Sequence, residues 1–145
     1  MSHTDGTVAP DGPGADAARP RPRPRRVVTA GDARALLAEL VRTLDGDTDR
    51  LLADVELAAT ELVVNAHRHA GGLTGFHARI DHEHRRIVVE VEDADDRHPA
   101  GEPLDQRAPE EPGGRGWALV QILAHTCRIE PLPDGGKRIS ATFAF

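Results

Sequence analysis

The sequence predicts an α+β domain built as a two-layer sandwich, with a mixed, largely antiparallel sheet and its helices on one face. Two segments with helical apolar spacing come first, two alternating segments follow, and a third helix precedes a second alternating pair. Strict alternation indicates strands with one buried face, and helices on that face would bury it. The predicted order is therefore ααββαββ, preceded by a short strand at Val27 and Val28.

Composition limits the class of protein. The 145 residues, 39% of them hydrophobic, suit one compact domain with length left for a tail. A formal charge of −6 argues against general affinity for nucleic acid, and no apolar run reaches the roughly 18 residues of a transmembrane helix. The N-terminus has no apolar core of a signal peptide, and Cys127 is the single cysteine. We therefore expect a cytoplasmic protein.

Residues 1–26 are expected to form a disordered arm, because their Pro, Gly, Asp and Arg content cannot bury enough apolar surface to fold. The arm ends in the Arg and Pro alternation of residues 19–26. This basic stretch could dock on an acidic partner, but a solvated tail is the favoured interpretation. The folded domain is expected to span residues 27–145.

Two helices are predicted next. The first begins at a cap on Asp32 and continues to Gly46, and the second covers about residues 50–70 and ends at Gly71 and Gly72. The second helix is amphipathic, and its apolar arc comprises Leu51, Leu52, Val55, Ala58, Ala59, Leu62 and Ala66.

Alternating residues then predict a hairpin over 74–91 with its turn at 81–86. Residues 94–114 carry four prolines and no apolar periodicity, so we expect a functional lid there. A third helix should begin near Arg115, and a second hairpin should pair residues 127–132 with 138–145. The third helix is expected to bury Leu119, Val120, Ile122 and Leu123.

Glu61 and Asn65 are four residues apart, so they stack at the polar edge of the second helix. A mid-helix Asn is disfavoured relative to Ala by roughly half a kcal/mol, which calls for a compensating role. Its neutral oxygen could ligate a hard cation. The alternative is a solvated helix edge with an ordinary Glu and Asn.

Two further segments could bind a nucleotide. Glycines at 113, 114 and 116 open the third helix, where backbone N–H groups and the helix dipole favour a phosphate. Asp93 ends a strand, where it could accept the amino group of a base. The alternatives are a flexible loop at the glycines and a turn-capping Asp.

Occurring in this order, the three segments resemble motifs of the GHKL ATPase superfamily, most closely its small bacterial anti-sigma-factor serine/threonine kinases. Residues 61–70 resemble the N box, residues 91–93 the start of the first glycine box, and residues 114–120 the second glycine box. The resemblance covers residues 27–145 and implies a Bergerat-type ATP-binding fold.

The resemblance also implies roles for individual residues. Asn65 would ligate Mg²⁺, Glu61 would be the general base that activates the attacking hydroxyl or water, and Asp93 would recognise the adenine amino group. Thr142 would help to hold the adenine through Asp93. Other nucleotide-binding positions implied are Arg68 and His69, facing the phosphates, and Gly114, Arg115 and Gly116 in the second glycine box.

The chain departs from the family pattern after Asp93, because both glycines of the fuller Asp-x-Gly-x-Gly form are missing. Asp95 and Asp96 stand in this segment, and their charges would repel a triphosphate unless they turn outward or meet a cation.

The resemblance implies a regulator that binds ATP and Mg²⁺, sequesters a sigma factor and phosphorylates a serine or threonine on an antagonist protein. The alternative is a nucleotide-gated or non-catalytic binding module, which the altered first glycine box favours. A histidine-kinase catalytic domain ranks last, because His82 and His84 lie in a predicted hairpin turn. No direct contact with nucleic acid or membrane is expected, and a homodimer is left open.

Overall fold

The structure is a computed structural model, and it describes residues 26–69, 71–97 and 115–145. The predicted arm, except Arg26, and most of the predicted lid lie outside these ranges. The elements are α1 (Ala30–Val41), α2 (Asp49–His69), β1 (Leu73–Asp81), β2 (Arg86–Asp93), α3 (Arg115–Leu123), β3 (Thr126–Pro131) and β4 (Lys137–Ala144).

The four strands form one sheet in the order β1-β2-β4-β3, and each neighbouring pair is antiparallel. Helix α2 packs against β1, β2 and β4, while α1 packs on β1 and α3 on β3. The predicted α+β fold class and both hairpins are therefore confirmed. The sheet contains no parallel pair among the described strands, so it is the antiparallel form of the expected sandwich.

The start of α1 corrects two predictions. The N-cap is Thr29, whose hydroxyl accepts from the Asp32 N–H, while the Asp32 carboxylate accepts from the Thr29 N–H in a reciprocal capping box. Asp32 is thus the third helical residue and not the cap. Val27 and Val28 form no strand, because the Val28 N–H bonds Asp32 and its carbonyl lies 2.6 Å from Nε2 of His67.

Helix α1 also ends earlier than predicted, at Val41, with Arg42 as its C-cap. The predicted end, Gly46, lies in the following turn and has φ +92°, a conformation that glycine adopts without strain. Helix α2 matches its predicted span within one residue at each end. Its apolar arc lies in the core, where Val55, Ala58 and Leu62 are nearly inaccessible to solvent.

Helix α3 begins at the predicted residue, but its burial differs from the prediction. Val120 is fully buried and Trp117 is 7% exposed, whereas Ile122 is 65% exposed. Only one side of a helix that lies on a sheet contacts the core, so four of the five residues 119–123 cannot all be buried. The prediction for Ile122 is wrong for this reason.

The core lies between the helices and one face of the sheet. Ile87, Val89 and Val91 alternate along β2 and point toward α2, and Ile139, Ala141 and Phe143 do the same along β4. None of the helices within the described ranges is both long and apolar enough to cross a membrane.

Candidate nucleotide site

Helix α3 begins directly against the polar edge of α2. Gly116 is buried, and a Cβ atom added to it would collide with Oε2 of Glu61 and lie 3.4 Å from Nδ2 of Asn65. A residue without a side chain allows the backbone of α3 to approach this closely while the Glu61 carboxylate keeps its position. The fold thus brings together an acid, an amide and the glycine-rich start of a helix.

Asp93 lies at the same end of the sheet. Helix α2 ends at His69, the chain turns through Gly71 and Gly72, and Leu73 then pairs with Asp93 across β1 and β2. The start of α3 thus contacts the last turns of α2, and the chain from the end of α2 reaches the partner of Asp93 within four residues. We call the region that contains Glu61, Asn65, Asp93 and Gly116 the motif end of the sheet.

The Asp93 carboxylate forms a buried ion pair with Lys137. The two residues lie directly opposite each other on β2 and β4, and Lys137 Nζ is 2.9 Å from Asp93 Oδ1. Their side chains are only 4% and 6% exposed, respectively. Since an isolated buried charge is costly, each side chain needs the other as its partner at this position.

The segment after Asp93 folds back over the start of β4. The Asp95 N–H donates to Asp93 Oδ1 at 3.0 Å, and the Asp95 carbonyl accepts from Lys137 Nζ at 2.9 Å. Oδ1 of Asp96 accepts from the Gly136 N–H at 2.6 Å. These bonds connect the segment after Asp93 to the start of β4, and they include Asp95, which stands at the first of the two missing glycine positions.

The two extra carboxylates of this segment both have partners. Asp95 forms an ion pair of 2.7 Å with Arg97, whose hydrogen bonds to the carboxylate lower the pKa of Asp95 to about 2. Asp96 is held by the Gly136 N–H. The Asp95 charge therefore meets a cation, which reduces the repulsion of a triphosphate expected from the sequence.

Gly136 is tightly enclosed at the motif end. It has φ +82°, and an added Cβ atom would collide with the carbonyl oxygen of Asp93. Any other residue at 136 would therefore push β4 away from β2 next to the Asp93 and Lys137 pair. The turn before β4 therefore borders the Asp93 and Lys137 pair as well as closing a hairpin.

Thr142 does not lie at the motif end, which corrects the role implied for it. It pairs with Val88 on β2, five positions along the strand from Asp93, and its hydroxyl lies 2.6 Å from that of Thr126. Five residues of strand span about 17 Å, too far for Thr142 to hold a base through Asp93.

The remaining predicted residues are only partly described. Arg68 is exposed near the end of α2. His69 is the last residue of α2 and Arg115 the first of α3, with side chains outside the described part, as is the whole of Gly114. Their predicted contacts with a nucleotide stay predictions.

A cavity of about 630 Å³ lies at the opposite end of the sheet, between the start of α2 and the end of β4. Thr48, Leu51 and Phe143 contribute to its lining, and none of the predicted site residues does. The motif end is therefore the candidate nucleotide site because of its side chains and backbone geometry, and not because of this cavity.

A family model described as the histidine kinase-like ATPase domain matches residues 21–143. The chain belongs to this family. The match includes every residue of the motif end, and the antiparallel α+β architecture agrees with it. No curated protein shows significant similarity to the sequence. Membership in the histidine kinase-like ATPase family confirms the superfamily suggested by the motifs but not the anti-sigma-factor kinase branch.

The residues of this histidine kinase-like ATPase domain fit a metal-bound nucleotide at Gly116. Bare backbone at the start of α3, next to the Asn65 amide, suits a phosphate and its cation. Within the described ranges no three His, Cys, Asp or Glu side chains cluster as a metal site. A Mg²⁺ ion at Asn65 would take further ligands from phosphates, as this ion commonly does.

Sequence reasoning missed Lys137 as a site residue. Lys137 is the only lysine beside seventeen arginines and directly follows Gly135 and Gly136. The single lysine is evident in the sequence, but its role depends on its pairing with Asp93. Asp93 lies 44 residues earlier in the chain, so the sequence alone does not predict the pair.

Proposed function

We propose that this chain is an ATP-binding anti-sigma-factor-like regulator. It binds Mg-ATP at the motif end, sequesters a sigma factor, and phosphorylates a serine or threonine on an antagonist protein. The observation that carries the proposal is the contact of Gly116 with Glu61 and Asn65, because it joins two predicted motifs at one point.

Each residue has a defined task in this proposal. Asn65 supplies a neutral oxygen to Mg²⁺, and the ion neutralises phosphate charge when bound. The N–H groups at the start of α3 face the phosphates, where the helix dipole favours negative charge. Because Gly116 carries no side chain, the start of α3 can lie directly against Glu61 and Asn65.

Glu61 is the proposed general base. It is partly buried on α2, one turn before Asn65, and it borders the backbone of Gly116 where the phosphates would lie. A carboxylate in this position can accept the proton of a serine or threonine hydroxyl as that oxygen attacks phosphorus. Arg68, exposed one turn beyond Asn65, is proposed to contact the transferred phosphoryl group.

Asp93 is the proposed base-recognition residue. Both described donors to its carboxylate, Lys137 Nζ and the Asp95 N–H, contact Oδ1. Oδ2 receives no donor from the described residues, so it can accept the amino group of adenine.

A docking module without kinase activity is the second candidate. The observation in its favour is the segment after Asp93, where Asp95 and Arg97 stand at the two missing glycine positions and pair through their side chains. In this case ATP, if bound, would control docking to a partner and would not be a phosphoryl donor.

Calorimetric titration of the full chain with ATP, with and without Mg²⁺, tests the proposal. We expect wild type to bind Mg-ATP, and Asn65→Ala to weaken that binding at least tenfold, or about 1.4 kcal/mol. Without Mg²⁺ the two proteins should bind ATP with similar affinity, since Asn65 acts through the metal. Equal affinities with Mg²⁺ present would remove Asn65 as a metal ligand, and absence of binding to wild type would overturn the proposed function.

A further inference from the structure

The carboxylate assigned to base recognition already has a charged donor within the chain. Lys137 Nζ lies 2.9 Å from Asp93 Oδ1 and 2.9 Å from the Asp95 carbonyl oxygen, so two of its three N–H groups are engaged. Both side chains of the pair are almost completely buried. The ammonium therefore stands at the carboxylate to which a base amino group would bind.

The backbone around Lys137 holds it in this place. Gly136 packs against the carbonyl of Asp93 and donates its N–H to Asp96, while β4 continues in register along β2. Because these contacts fix the start of β4, the lysine stem begins directly opposite Asp93. A base would have to compete with a donor that is already positioned.

The ammonium is the stronger of the two donors. Hydrogen bonds between two charged groups are shorter and roughly twice as strong as those between neutral groups, whereas the amino group of a base is neutral. Separating the buried pair would also leave two charges without compensation. Sharing Asp93 with Lys137 must therefore weaken the bond that the carboxylate makes to a base.

We propose that Lys137 is a specificity-determining residue that competes with the nucleotide base for the negative charge of Asp93, because it holds Oδ1 of the carboxylate to which the base would bind through Oδ2. It lowers the affinity for ATP and reduces the preference for adenine over guanine, whose O6 presents an acceptor where adenine presents an amino donor. This inference rests on the proposed nucleotide function and assigns Lys137 a regulatory influence within that site.

Lys137→Met in the full chain tests the competition, because it removes the ammonium and keeps a side chain of similar length. With Mg-ATP and Mg-GTP as probes in calorimetry, we expect wild type to prefer ATP by less than about threefold. In the variant, ATP affinity should rise at least tenfold while GTP affinity changes less than threefold. The preference for ATP is the decisive readout, since a general change in site charge would affect both nucleotides.

Arg138→Met is the matched control. Arg138 is the next residue on β4, and it pairs with Glu92 at 2.6 Å on the opposite face of the sheet. Losing this neighbouring ion pair should leave both nucleotide affinities within twofold of wild type.

Two further variants test the inference if Lys137→Met does not fold. Lys137→Gln retains a neutral donor for Asp93, so we expect it to fold and to raise ATP affinity at least threefold with GTP affinity unchanged. Asp93→Asn combined with Lys137→Met removes both buried charges, and it should lose the gain in ATP affinity because the carboxylate is gone.

The outcomes separate this inference from the proposed function. The inference alone would be overturned if wild type binds Mg-ATP but both lysine variants bind it no more tightly. It would also be overturned if the variants gain as much affinity for Mg-GTP as for Mg-ATP. Weaker ATP binding in both lysine variants would show that Lys137 assists the nucleotide, and it too would overturn the inference. Absence of nucleotide binding in wild type and all variants would overturn the inference and the proposed function together.

Discussion

Gly116 lies so close to Glu61 that a Cβ atom at position 116 would collide with the Glu61 carboxylate in its present position. The two residues come from α3 and α2, and their contact places the start of one helix on the polar edge of the other. A proposed phosphate-binding backbone is thereby fixed next to a proposed general base.

Gly116→Ala tests this contact. The new Cβ atom would collide with Oε2 of Glu61 and lie 3.3 Å from its Cδ, so the carboxylate must move. Because that atom is the end of a flexible side chain, and Ala favours helix, the free energy of unfolding should change by less than about 1 kcal/mol. Phosphoryl transfer should fall at least tenfold, measured by labelling of an antagonist protein.

Gly31→Ala is the control for helix propensity. Gly31 lies in α1, where an added Cβ atom would have its nearest neighbours at 3.6 and 3.7 Å. This change should leave transfer unaffected. If Gly116→Ala also retains full transfer, the position of Glu61 is not important for the reaction.

Glu61→Gln separates a kinase from a docking module. Gln has the shape of Glu but cannot accept a proton, so phosphoryl transfer to a cognate antagonist should be abolished while ATP affinity changes less than threefold. The measurement is transfer of labelled γ-phosphate together with an ATP titration. Wild type that binds ATP yet labels no antagonist would favour the docking module.

Asp93→Asn should destabilise the fold as well as the site. The substitution leaves the Lys137 ammonium buried without its carboxylate, which typically costs about 3–5 kcal/mol in the free energy of unfolding. Urea denaturation measures this change, and nucleotide titration should show weaker ATP binding in the folded protein.

Glu92→Gln provides the comparison for Asp93→Asn. Glu92 pairs with Arg138 one residue earlier on β2, but Arg138 is 35% exposed, so we expect a loss below about 1 kcal/mol. Equal losses for the two variants would mean that burial of the Asp93 and Lys137 pair has no special effect on stability.

The Asp95 and Arg97 pair predicts a dependence of stability on acid pH. Hydrogen bonds from Arg97 lower the pKa of Asp95 from 3.8 to about 2 in the folded protein. The unfolded chain therefore binds the proton first, and the pair's contribution is present above about pH 4 and lost as pH falls toward 2. Asp95→Asn should flatten this part of the profile, measured by denaturation between pH 5 and pH 2.

Arg97→Met should reproduce part of the effect of Asp95→Asn, because it removes the side-chain hydrogen bonds that are the largest cause of the lowered pKa of Asp95, while the backbone N–H of residue 97 still donates to that carboxylate. If the free energy of unfolding depends on pH in the same way for wild type and Asp95→Asn between pH 5 and pH 2, the pair makes no contribution to acid stability.

The local elements of this protein could be predicted from the pattern of its residues. Helical spacing predicted α2 within a residue, and alternation predicted the hairpin of β1 and β2, because periodicity reports which side of an element is buried. The start of α1 was predicted less accurately, because Thr29 and Asp32 are both residues that commonly cap helices. Thr29 is the cap in the structure. The motif order was enough to predict the family.

The contacts between residues far apart in the chain could not be predicted in this way, because they depend on how the elements pack. The register of β2 and β4 places Lys137 opposite Asp93 and carries Thr142 away from it, and the packing of α3 on α2 places Gly116 at Glu61. Periodicity along a strand does not specify which strand lies beside it or in what register. The neighbour and register of each strand follow from burial of the whole core. They determine which charged groups become partners at the motif end.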